Sequence, residues 1–439
     1  MFKPPAPLFA LTASLCAVAW AQTPAPSLRT PEQSFVHYTV KPGDTFNQIA
    51  KQYLLPTADR AQILKTNNLS NENRISVGMS LRFARSDVQF RPATAKVMAL
   101  TCEQDIISGT PPQALRVGND ITEGAVIRVP AECQVSLAIE DGSVIRLPSS
   151  ATLQFTALRI NALESVPEVR LDLLRGRVEV SVKKNRTTGT PFEVNTPTAV
   201  MGVRGTEFRV GYDPEGDTAQ VEVLTGTVAT QGGQDSGSQN VEKGFGVPFD
   251  RSGQSMGLEK LLPAPAFVNA ERIRAKVPAH WVNFEPMTLA KAYVVDSAGT
   301  ANLSGTRYSQ TVKQPRVAVG RLEDTAVFYQ FAALSETGLL GQTRQYGFCQ
   351  PLNNSERCNA IFDVPLADGI PMTLELTTQR GAETVAVIRP HTIEAKNGRF
   401  AVQGLPVGRY QWTLSYPLKQ TQVVQTGEFE LLVIQPHTP

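Results

Sequence analysis

The side chains that could do chemistry are scarce in this sequence. Its 439 residues include only four histidines, and none lies in a metal-binding or nucleophile motif: His37, His280, His391 and His437. The chain carries no GxSxG or HExxH pattern and no catalytic cysteine pattern. We therefore predict a protein that is not an enzyme and that needs no metal ion or other cofactor.

The four cysteines beyond residue 100 suit disulfide bonds better than metal binding. Their number is even, and they show neither a CxxC spacing nor a neighbouring histidine. Cys349 and Cys358 are nine residues apart, which suits a bridge that pins a hairpin loop, and Cys102 with Cys133 is the complementary pairing. Such bonds require an oxidising compartment.

The N-terminus indicates export to such a compartment. Lys3 precedes the apolar run of residues 8–18, and Ala19-Trp20-Ala21 places small residues at the two positions that a signal peptidase reads. We expect residues 1–21 to be a cleaved signal peptide and the mature protein to be periplasmic or secreted by a bacterium. No later run reaches the ~20 apolar residues of a spanning helix, so we expect no membrane span in the mature chain.

Composition narrows the range of partners. The 42 Lys and Arg residues nearly balance the 40 Asp and Glu residues, so no basic excess favours binding to nucleic acid or to an anionic membrane. A hydrophobic content of 41% is sufficient for packed cores. The length indicates two to four domains.

The first compact unit, residues 36–84, has the pattern strand, helix, helix, strand. Residues 37–40 alternate as a strand, residues 41–44 form a turn, and Thr45 can cap the first helix. The second helix ends near residue 68, and residues 79–83 return as a strand. The order and the motif residues resemble the LysM domain: Tyr38-Thr-Val-Lys-Pro-Gly-Asp-Thr45, Ile49-Ala50, Asn67-Asn68, Ile75, Gly78 and Leu81.

The resemblance to LysM implies binding of peptidoglycan, or a related N-acetylglucosamine polymer, in a shallow groove. One loop would form each wall, the first with Gly43, Asp44, Thr45 and Phe46 and the second with Ser76, Val77 and Gly78. Glycine-containing loops expose backbone N–H and C=O groups that an acetamido group can bond, while apolar side chains pack against its methyl group. Val77 stands where the family usually has proline. The motif Gly43-Asp44-Thr45 would also be explained by a turn that is followed by a helix cap. If the module does bind the polymer, a single copy should bind it weakly.

Residues 113–250 have a β pattern throughout. Short alternating strands are separated by single glycines or Asp-Gly turns, which favours stacked β coils over a single closed barrel. Three motifs resemble the FecR domain, an all-β extracytoplasmic module: Asp141-Gly142-Ser143, Leu174-Arg-Gly-Arg-Val178 and Thr196-Pro-Thr-Ala-Val-Met-Gly-Val-Arg-Gly-Thr-Glu-Phe-Arg-Val210. The resemblance implies a twisted, solenoid-like β domain.

The remaining segments are predicted to be linkers and two further β units. Linkers are expected at residues 22–35, 85–112 and 251–263. Strands at about ten-residue spacing indicate β-sandwiches of the immunoglobulin or fibronectin type at residues 264–348 and 349–439. The expected fold class is therefore multidomain and mainly β, with one small βααβ module.

Together these patterns predict a non-enzymatic protein of the bacterial cell envelope. It would bind peptidoglycan through LysM and present its β domains to an envelope protein partner. One alternative is a regulator of a sigma factor or of envelope stress, as in FecR proteins, although the expected cleavable signal takes the place of their cytoplasmic segment and membrane helix. A second alternative is an accessory role in peptidoglycan hydrolysis, since LysM modules often accompany hydrolases.

Overall fold

The computed structural model describes residues 35–102, 107–108, 113–183, 192–203, 205–233, 237–273, 279–303, 306–350, 356–363, 372–380, 383–393, 399–418 and 421–434. The expected signal peptide, residues 1–21, lies outside these residues, as does all but the last residue of the expected linker at 22–35. Within them, no helix is both long and apolar enough to cross a membrane.

The N-terminal module has the predicted βααβ order. It consists of β1 (Phe35–Thr39), α1 (Phe46–Tyr53), α2 (Arg60–Thr66) and β2 (Ser80–Ala84), and β1 pairs with β2 in antiparallel register. Thr45 and Gln48 form a capping box at the start of α1, while the Asp59 side chain caps α2. The two helices close over the strand pair with a small apolar core that includes Phe46, Ile49, Ile63, Leu81 and Phe83.

A β domain follows, after a single 3-10 turn at Arg85–Asp87. Its strands are β3 (Phe90–Pro92), β4 (Ala95–Leu100), β5 (Ile107–Ser108), β6 (Gln113–Ala114), β7 (Asp120–Ile121), β8 (Val126–Arg128), β9 (Val135–Ile139), β10 (Val144–Leu147), β11 (Thr152–Asn161), β12 (Glu168–Ser181), β13 (Phe192–Asn195), β14 (Val200–Val203), β15 (Glu207–Asp213), β16 (Thr218–Thr225), β17 (Thr227–Gln231), β18 (Gln239–Glu242), β19 (Phe245–Phe249) and β20 (Glu259–Lys260).

The long strand β12 connects the two sheets of this domain. Its first half pairs with β11 and, in parallel, with β13, whereas its second half pairs with β10 and β15. The change of sheet falls at Gly176, where φ is +81° and a Cβ atom would lie 2.7 Å from the Ser150 carbonyl oxygen. Only glycine combines that conformation with so close an approach. The apolar faces of the two sheets enclose one core, to which Phe155, Phe192 and Phe208 contribute.

Two segments that were expected to be linkers contain strands of this domain. Within residues 85–112, β3 pairs with β11 and β4 pairs with β9. Within residues 251–263, β20 pairs with β19. The short lengths of β3 and β20 explain why neither shows a clear alternation in the sequence.

The C-terminal region contains one long sheet and two small ones. Its strands are β21 (Phe267–Ile273), β22 (Ala279–Phe284), β23 (Ala290–Ala298), β24 (Thr306–Val312), β25 (Arg316–Val319), β26 (Val327–Ser335), β27 (Leu340–Cys349), β28 (Arg357–Asp363), β29 (Met372–Arg380), β30 (Glu383–Ile393), β31 (Arg399–Pro406), β32 (Gly408–Leu418) and β33 (Thr421–Val433). The long sheet has the order β24-β23-β26-β27-β33-β32-β29-β30, and the small sheets are β21-β22-β25 and β28-β31.

Two separate cores lie along the long sheet. One packs β22 and β25 against β23, β26 and β27, and the other packs β28 and β31 against β29, β32 and β33. The parallel pair β27 and β33 joins the two halves. The predicted fold class is confirmed as mainly β with several sheets and a βααβ module, and the two C-terminal sandwich layers share one continuous sheet.

A row of alternating charges crosses one sheet of the β domain. Arg146 on β10 faces Glu179 on β12, Glu179 faces Arg209 on β15, and Arg209 faces Glu222 on β16. Directly opposed residues share a face of the sheet, so each inner charge has an opposite charge on both sides. Arg209 is 1% exposed and Glu222 is 0% exposed. We call these four residues the charge row.

The start of β27 packs onto the buried end of the charge row. Glu222 Oε1 accepts hydrogen bonds from the Leu340 amide at 2.8 Å and from Arg177 Nη1 at 2.8 Å. Arg209 Nη2 donates to the Gly341 carbonyl at 2.8 Å. The docking of the C-terminal region on the β domain therefore depends on buried, charge-assisted hydrogen bonds.

We predict that Glu222→Gln destabilises the protein by roughly 2–3 kcal/mol, because it removes the buried negative charge beside Arg177 and weakens two charge-assisted hydrogen bonds. Calorimetry should show a lower unfolding temperature. The matched control is Glu215→Gln, because the Glu215 side chain is 85% exposed and lies 3.5 Å from Arg175 in a surface ion pair, whose expected contribution is below about 1 kcal/mol. Equal destabilisation by the two variants would contradict the role of Glu222.

Candidate functional site

The first loop of the N-terminal module is held by Asp44. Its carboxylate Oδ2 accepts hydrogen bonds from the Lys41 amide at 2.7 Å and from the Tyr38 hydroxyl at 2.8 Å. Gly43 has a φ of +87°, a conformation that favours glycine. The loop is thus a closed turn whose Gly43 is exposed and whose Asp44 is half-buried.

Thr45 and Phe46 have different roles at the start of α1. The Thr45 hydroxyl accepts the Gln48 amide at 3.3 Å, and the Thr45 amide donates to Gln48 Oε1 at 3.0 Å. Phe46 is 2% exposed and packs in the core of the module. Its side chain therefore packs in the core beneath the loop, which corrects the expectation that Phe46 lines the wall of a groove.

The second loop contacts the first through the backbone of Val40. The Gly78 amide donates to the Val40 carbonyl at 2.9 Å, and the Val40 amide donates to the Met79 carbonyl at 2.9 Å. Gly78 has a φ of +84°, and the Met79 amide donates to the Ser76 carbonyl at 3.0 Å. Ser76 and Gly78 are exposed, and Val77 is 63% exposed. The structure thus places both predicted loops side by side at one edge of the β1–β2 pair.

The electrostatics of the first loop follow from these contacts. The hydrogen bond from the Lys41 amide, and then that from the Tyr38 hydroxyl, lower the pKa of Asp44 below its usual range. Burial, together with the Asp44 carboxylate, raises the pKa of Tyr38 to about 12. At neutral pH the carboxylate is therefore ionised and the phenol is neutral, which is the combination that the hydrogen bond requires.

A contact that the sequence did not reveal fixes α2 to β2. Asn67 donates from Nδ2 to the Arg82 carbonyl at 2.8 Å and accepts the Arg82 amide on Oδ1 at 2.7 Å. The motif Asn67-Asn68 marked only the end of a helix. The side-chain amide acts here as an extra strand partner, which holds the helix layer against the β pair beneath the loops.

The residues that the site exposes are Gly43, Ser76, Val77 and Gly78. The Gly78 amide and the Ser76 carbonyl are hydrogen-bonded within the module, so contact with a ligand is left to the other backbone groups and to the side chains of Ser76 and Val77. In the part of the chain that the structure describes, no group of three or more metal-binding side chains is close enough to hold an ion. Such an arrangement can bind a neutral amide-containing ligand by hydrogen bonds and apolar contact.

The four cysteines are joined in two disulfides. Cys102 is bonded to Cys133 beside the β4–β9 pair, and the Cα atoms are 5.7 Å apart. Cys349 on β27 is bonded to Cys358 on β28, with Cα atoms 6.1 Å apart. This second bond connects two different sheets, whereas the sequence had suggested a bridge across a hairpin.

Comparison with protein families identifies two domains in this chain. Residues 38–83 match the LysM domain, and residues 125–229 match the FecR protein family. Both matches occur in the order expected from the sequence motifs. The first match contains the two loops described above, and the second contains the charge row. No curated protein matches the chain.

Solved structures share only limited similarity with the chain. A "putative anti-sigma factor" from Parabacteroides distasonis is 20% identical over 31% of this chain, with a TM-score of 0.26, and the chain spans 59% of its length. A two-domain fibronectin type III segment of chicken tenascin is 12% identical over 38% of this chain and 98% of its own, with a TM-score of 0.15. Similarities at this level carry no argument about function.

We predict that Asp44→Asn lowers the unfolding temperature at pH 7, because the neutral amide is a weaker acceptor for Lys41 and Tyr38. The folded-state pKa of Asp44 is depressed, so its contribution to stability is present above the unfolded pKa of about 3.9 and is lost as pH falls through the folded pKa. The difference between wild type and variant should therefore shrink below about pH 4.

The control for this measurement is Asp59→Asn, at the N-cap of α2. Asparagine and aspartate cap helices about equally well, so this variant should unfold close to wild type at pH 7. Thermal unfolding followed by circular dichroism at pH 7 and pH 3 makes the comparison. A wild-type advantage over Asp44→Asn that is unchanged at pH 3 would show that the Asp44 charge does not stabilise the loop.

Proposed function

We propose that this chain is a non-enzymatic protein of the cell envelope that binds peptidoglycan through its LysM domain. The observation that carries the proposal is the pair of exposed loops, residues 43–45 and 76–78, in which the second is hydrogen-bonded to Val40 just before the first. Both loops are held in place before any ligand binds, so little conformational entropy is lost on binding. N-acetylglucosamine polymers have the amide and apolar groups that these loops can contact.

Each predicted contact residue has a role in this proposal. Gly43 and Gly78 present backbone to the sugar, because an added Cβ atom would meet nothing within 4 Å and the space above them is open. Val77 supplies apolar contact, and Ser76 and Thr45 add hydroxyl groups. Asp44 acts through the loop that it holds, since both of its hydrogen bonds stay within the module.

The other domains would act as a scaffold for a protein partner. Arg85 beside the LysM domain forms two hydrogen bonds with Glu164 of the β domain, at 2.8 and 2.6 Å, and this pair is nearly buried. The LysM domain is therefore fixed to the scaffold. A LysM domain next to a FecR domain is consistent with an envelope or extracellular location, and we propose that residues 1–21 direct periplasmic localisation or secretion.

A regulatory function is the second candidate, and the FecR match over residues 125–229 favours it. Deletion of the gene followed by RNA sequencing makes the distinction. A specific change in one sigma-dependent set of transcripts would support regulation.

A hydrolytic or accessory role predicts instead that soluble fragments appear when the protein is incubated with purified peptidoglycan.

We predict that the protein co-sediments with isolated sacculi and that Val77→Asp weakens this binding by about tenfold or more, because a charge would have to be desolvated against the sugar. The control is Val117→Asp, the same substitution at an exposed position of the β domain. Val117→Asp should sediment as wild type does. Wild-type protein that stays in the supernatant at physiological salt, while a known LysM protein pellets, would rule out anchoring by this domain.

A further inference from the structure

The long C-terminal sheet opens in its middle, between β27 and β33. These two strands pair in parallel only over residues 346–349 and 430–433. Before that ladder, residues 343–345 of β27 have β26 as their one strand partner, and residues 421–429 of β33 have β32, among the residues that the structure describes. The two strands therefore diverge before the ladder, and we call the space between them the strand gap.

The direction of the backbone groups in the strand gap follows from one hydrogen bond at the end of the ladder. The Ile434 amide donates to the Cys349 carbonyl at 2.9 Å. Alternate residues of a strand direct their N–H and C=O groups to the same side. The register of β33 is regular throughout, so Thr426 and Glu428 direct their backbone groups toward β27, as Ile434 does. On β27, which is regular from residue 343 on, Thr343 directs its backbone groups toward β33 in the same way.

A cavity of about 610 Å³ follows both edges of the strand gap, where the C-terminal sheet meets the β domain. Residues 343–345 and 424–428 line it, and its walls also include Arg146 of the β domain and Trp412 of β32. We call it the interdomain cavity. A smaller cavity of about 220 Å³ contacts both strands near Glu430, where the ladder begins. The larger volume falls within the roughly 300–1,000 Å³ of ligand sites.

Two facing strand edges complement an extended polypeptide. The edge of a strand presents a row of N–H and C=O groups at a fixed spacing, and another extended chain carries the matching row. A chain that enters the strand gap can bond to both edges at once, whereas a chain added to the outside of a sheet bonds to one. Sugars and other small molecules lack this repeat.

The walls around the strand gap favour polar, uncharged side chains on the entering chain. Ser181, Glu207 and Gln330 line the interdomain cavity, and Thr377 and Arg409 line the smaller cavity. The side chains of a strand alternate between its two faces, so an entering strand meets polar groups on both. Charges of both signs occur on these walls. A segment rich in threonine fits them, and threonine also favours extended backbone.

Neither end of this chain is suited to the strand gap. Proline cannot donate a backbone hydrogen bond and is excluded from positions between two paired strands. Residues 22–34 contain Pro24, Pro26 and Pro31, and residues 435–439 contain Pro436 and Pro439. Within the C-terminal region, the Gln342 amide donates to the Leu262 carbonyl at 2.8 Å, so this contact covers β27 only before residue 343. A segment of another protein is the better occupant.

We propose that the strand gap binds an extended, polar segment of a protein partner, which enters between β27 and β33 as an additional strand. Thr343 on one side, with Thr426 and Glu428 on the other, supplies the backbone hydrogen bonds. The proposal rests on the scaffold role proposed above and states how a partner docks on the scaffold. It does not rest on glycan binding, because no residue of the LysM domain lines the interdomain cavity.

Isothermal titration calorimetry on the full chain without its signal peptide tests the proposal. The probe is a hexapeptide of threonine, acetylated at its N-terminus and amidated at its C-terminus, so that it carries no charge. The comparison is the same peptide with methyl groups on its two central backbone nitrogens. We expect the methylated peptide to bind about tenfold more weakly or less, because it lacks two backbone donors. No binding of the unmethylated peptide, or equal binding of the two, would overturn the proposal.

Two substitutions at one exposed position locate the binding in the strand gap. Thr426→Pro removes an N–H group that points away from β32, and it should weaken binding of the threonine hexapeptide by roughly tenfold. Thr426→Val keeps this N–H group, and it should bind as wild type does. Equal binding by Thr426→Pro and Thr426→Val would overturn the assignment to the strand gap. The methylated peptide tests the same backbone bonds in the wild-type protein, so the proposal remains testable if Thr426→Pro does not fold.

Further measurements separate this proposal from its alternatives. Val77→Asp should leave the peptide titration unchanged, and Thr426→Pro should leave sedimentation with sacculi unchanged, so a failure of glycan binding can be told apart from a failure of the strand gap. Analytical ultracentrifugation tests whether a second copy of this chain is the occupant. Self-association of the wild type that Thr426→Pro abolishes would overturn the assignment to a different protein.

Discussion

The buried end of the charge row, Arg209 and Glu222, is the interaction on which the arrangement of this protein depends. Charges are costly to bury, and the cost is offset only where each has an opposite charge and hydrogen bonds in good geometry. Glu222 meets that condition through Arg177 and the Leu340 amide, and Arg209 donates to the Gly341 carbonyl, because β12, β15 and β16 are in register and the start of β27 supplies backbone partners. A shift of one residue along any of these strands would turn the charges into the apolar core. The register of the strands in the β domain therefore also determines how the C-terminal region docks on it.

This coupling has a consequence for function. The Arg85–Glu164 pair ties the LysM domain to the β domain, and the charge row ties the β domain to the C-terminal sheet. The two exposed loops of the LysM domain and the interdomain cavity thus belong to one connected structure. In the proposed function, an anchored module holds a β scaffold close to the cell wall.

Much of the fold was predictable because its signals are local. The turn at Gly43, the cap at Thr45 and the spacing of Phe46 and Ile49 specify the first helix without reference to other domains. The Asp141-Gly142 turn between alternating residues likewise specifies a strand pair of the β domain. Phe46 shows the limit of such reasoning: its position in the loop motif suggested a groove wall, whereas its apolar side chain is driven into the core. Short strands such as β3 were missed because three residues cannot show a period of two.

The sequence by itself determined the module order, the βααβ and β character of the domains and the position of the two loops, because periodicity, caps and turn residues act over a few residues. Only the tertiary structure decided which charged residues meet across strands, how Cys349 reaches Cys358 in another sheet, and where the cavity beside Arg146 and Trp412 opens. Those features join residues that are far apart in the chain. Arg209, Glu222 and Leu340 carry no local pattern that pairs them, and their contacts exist only once two sheets have formed and packed together.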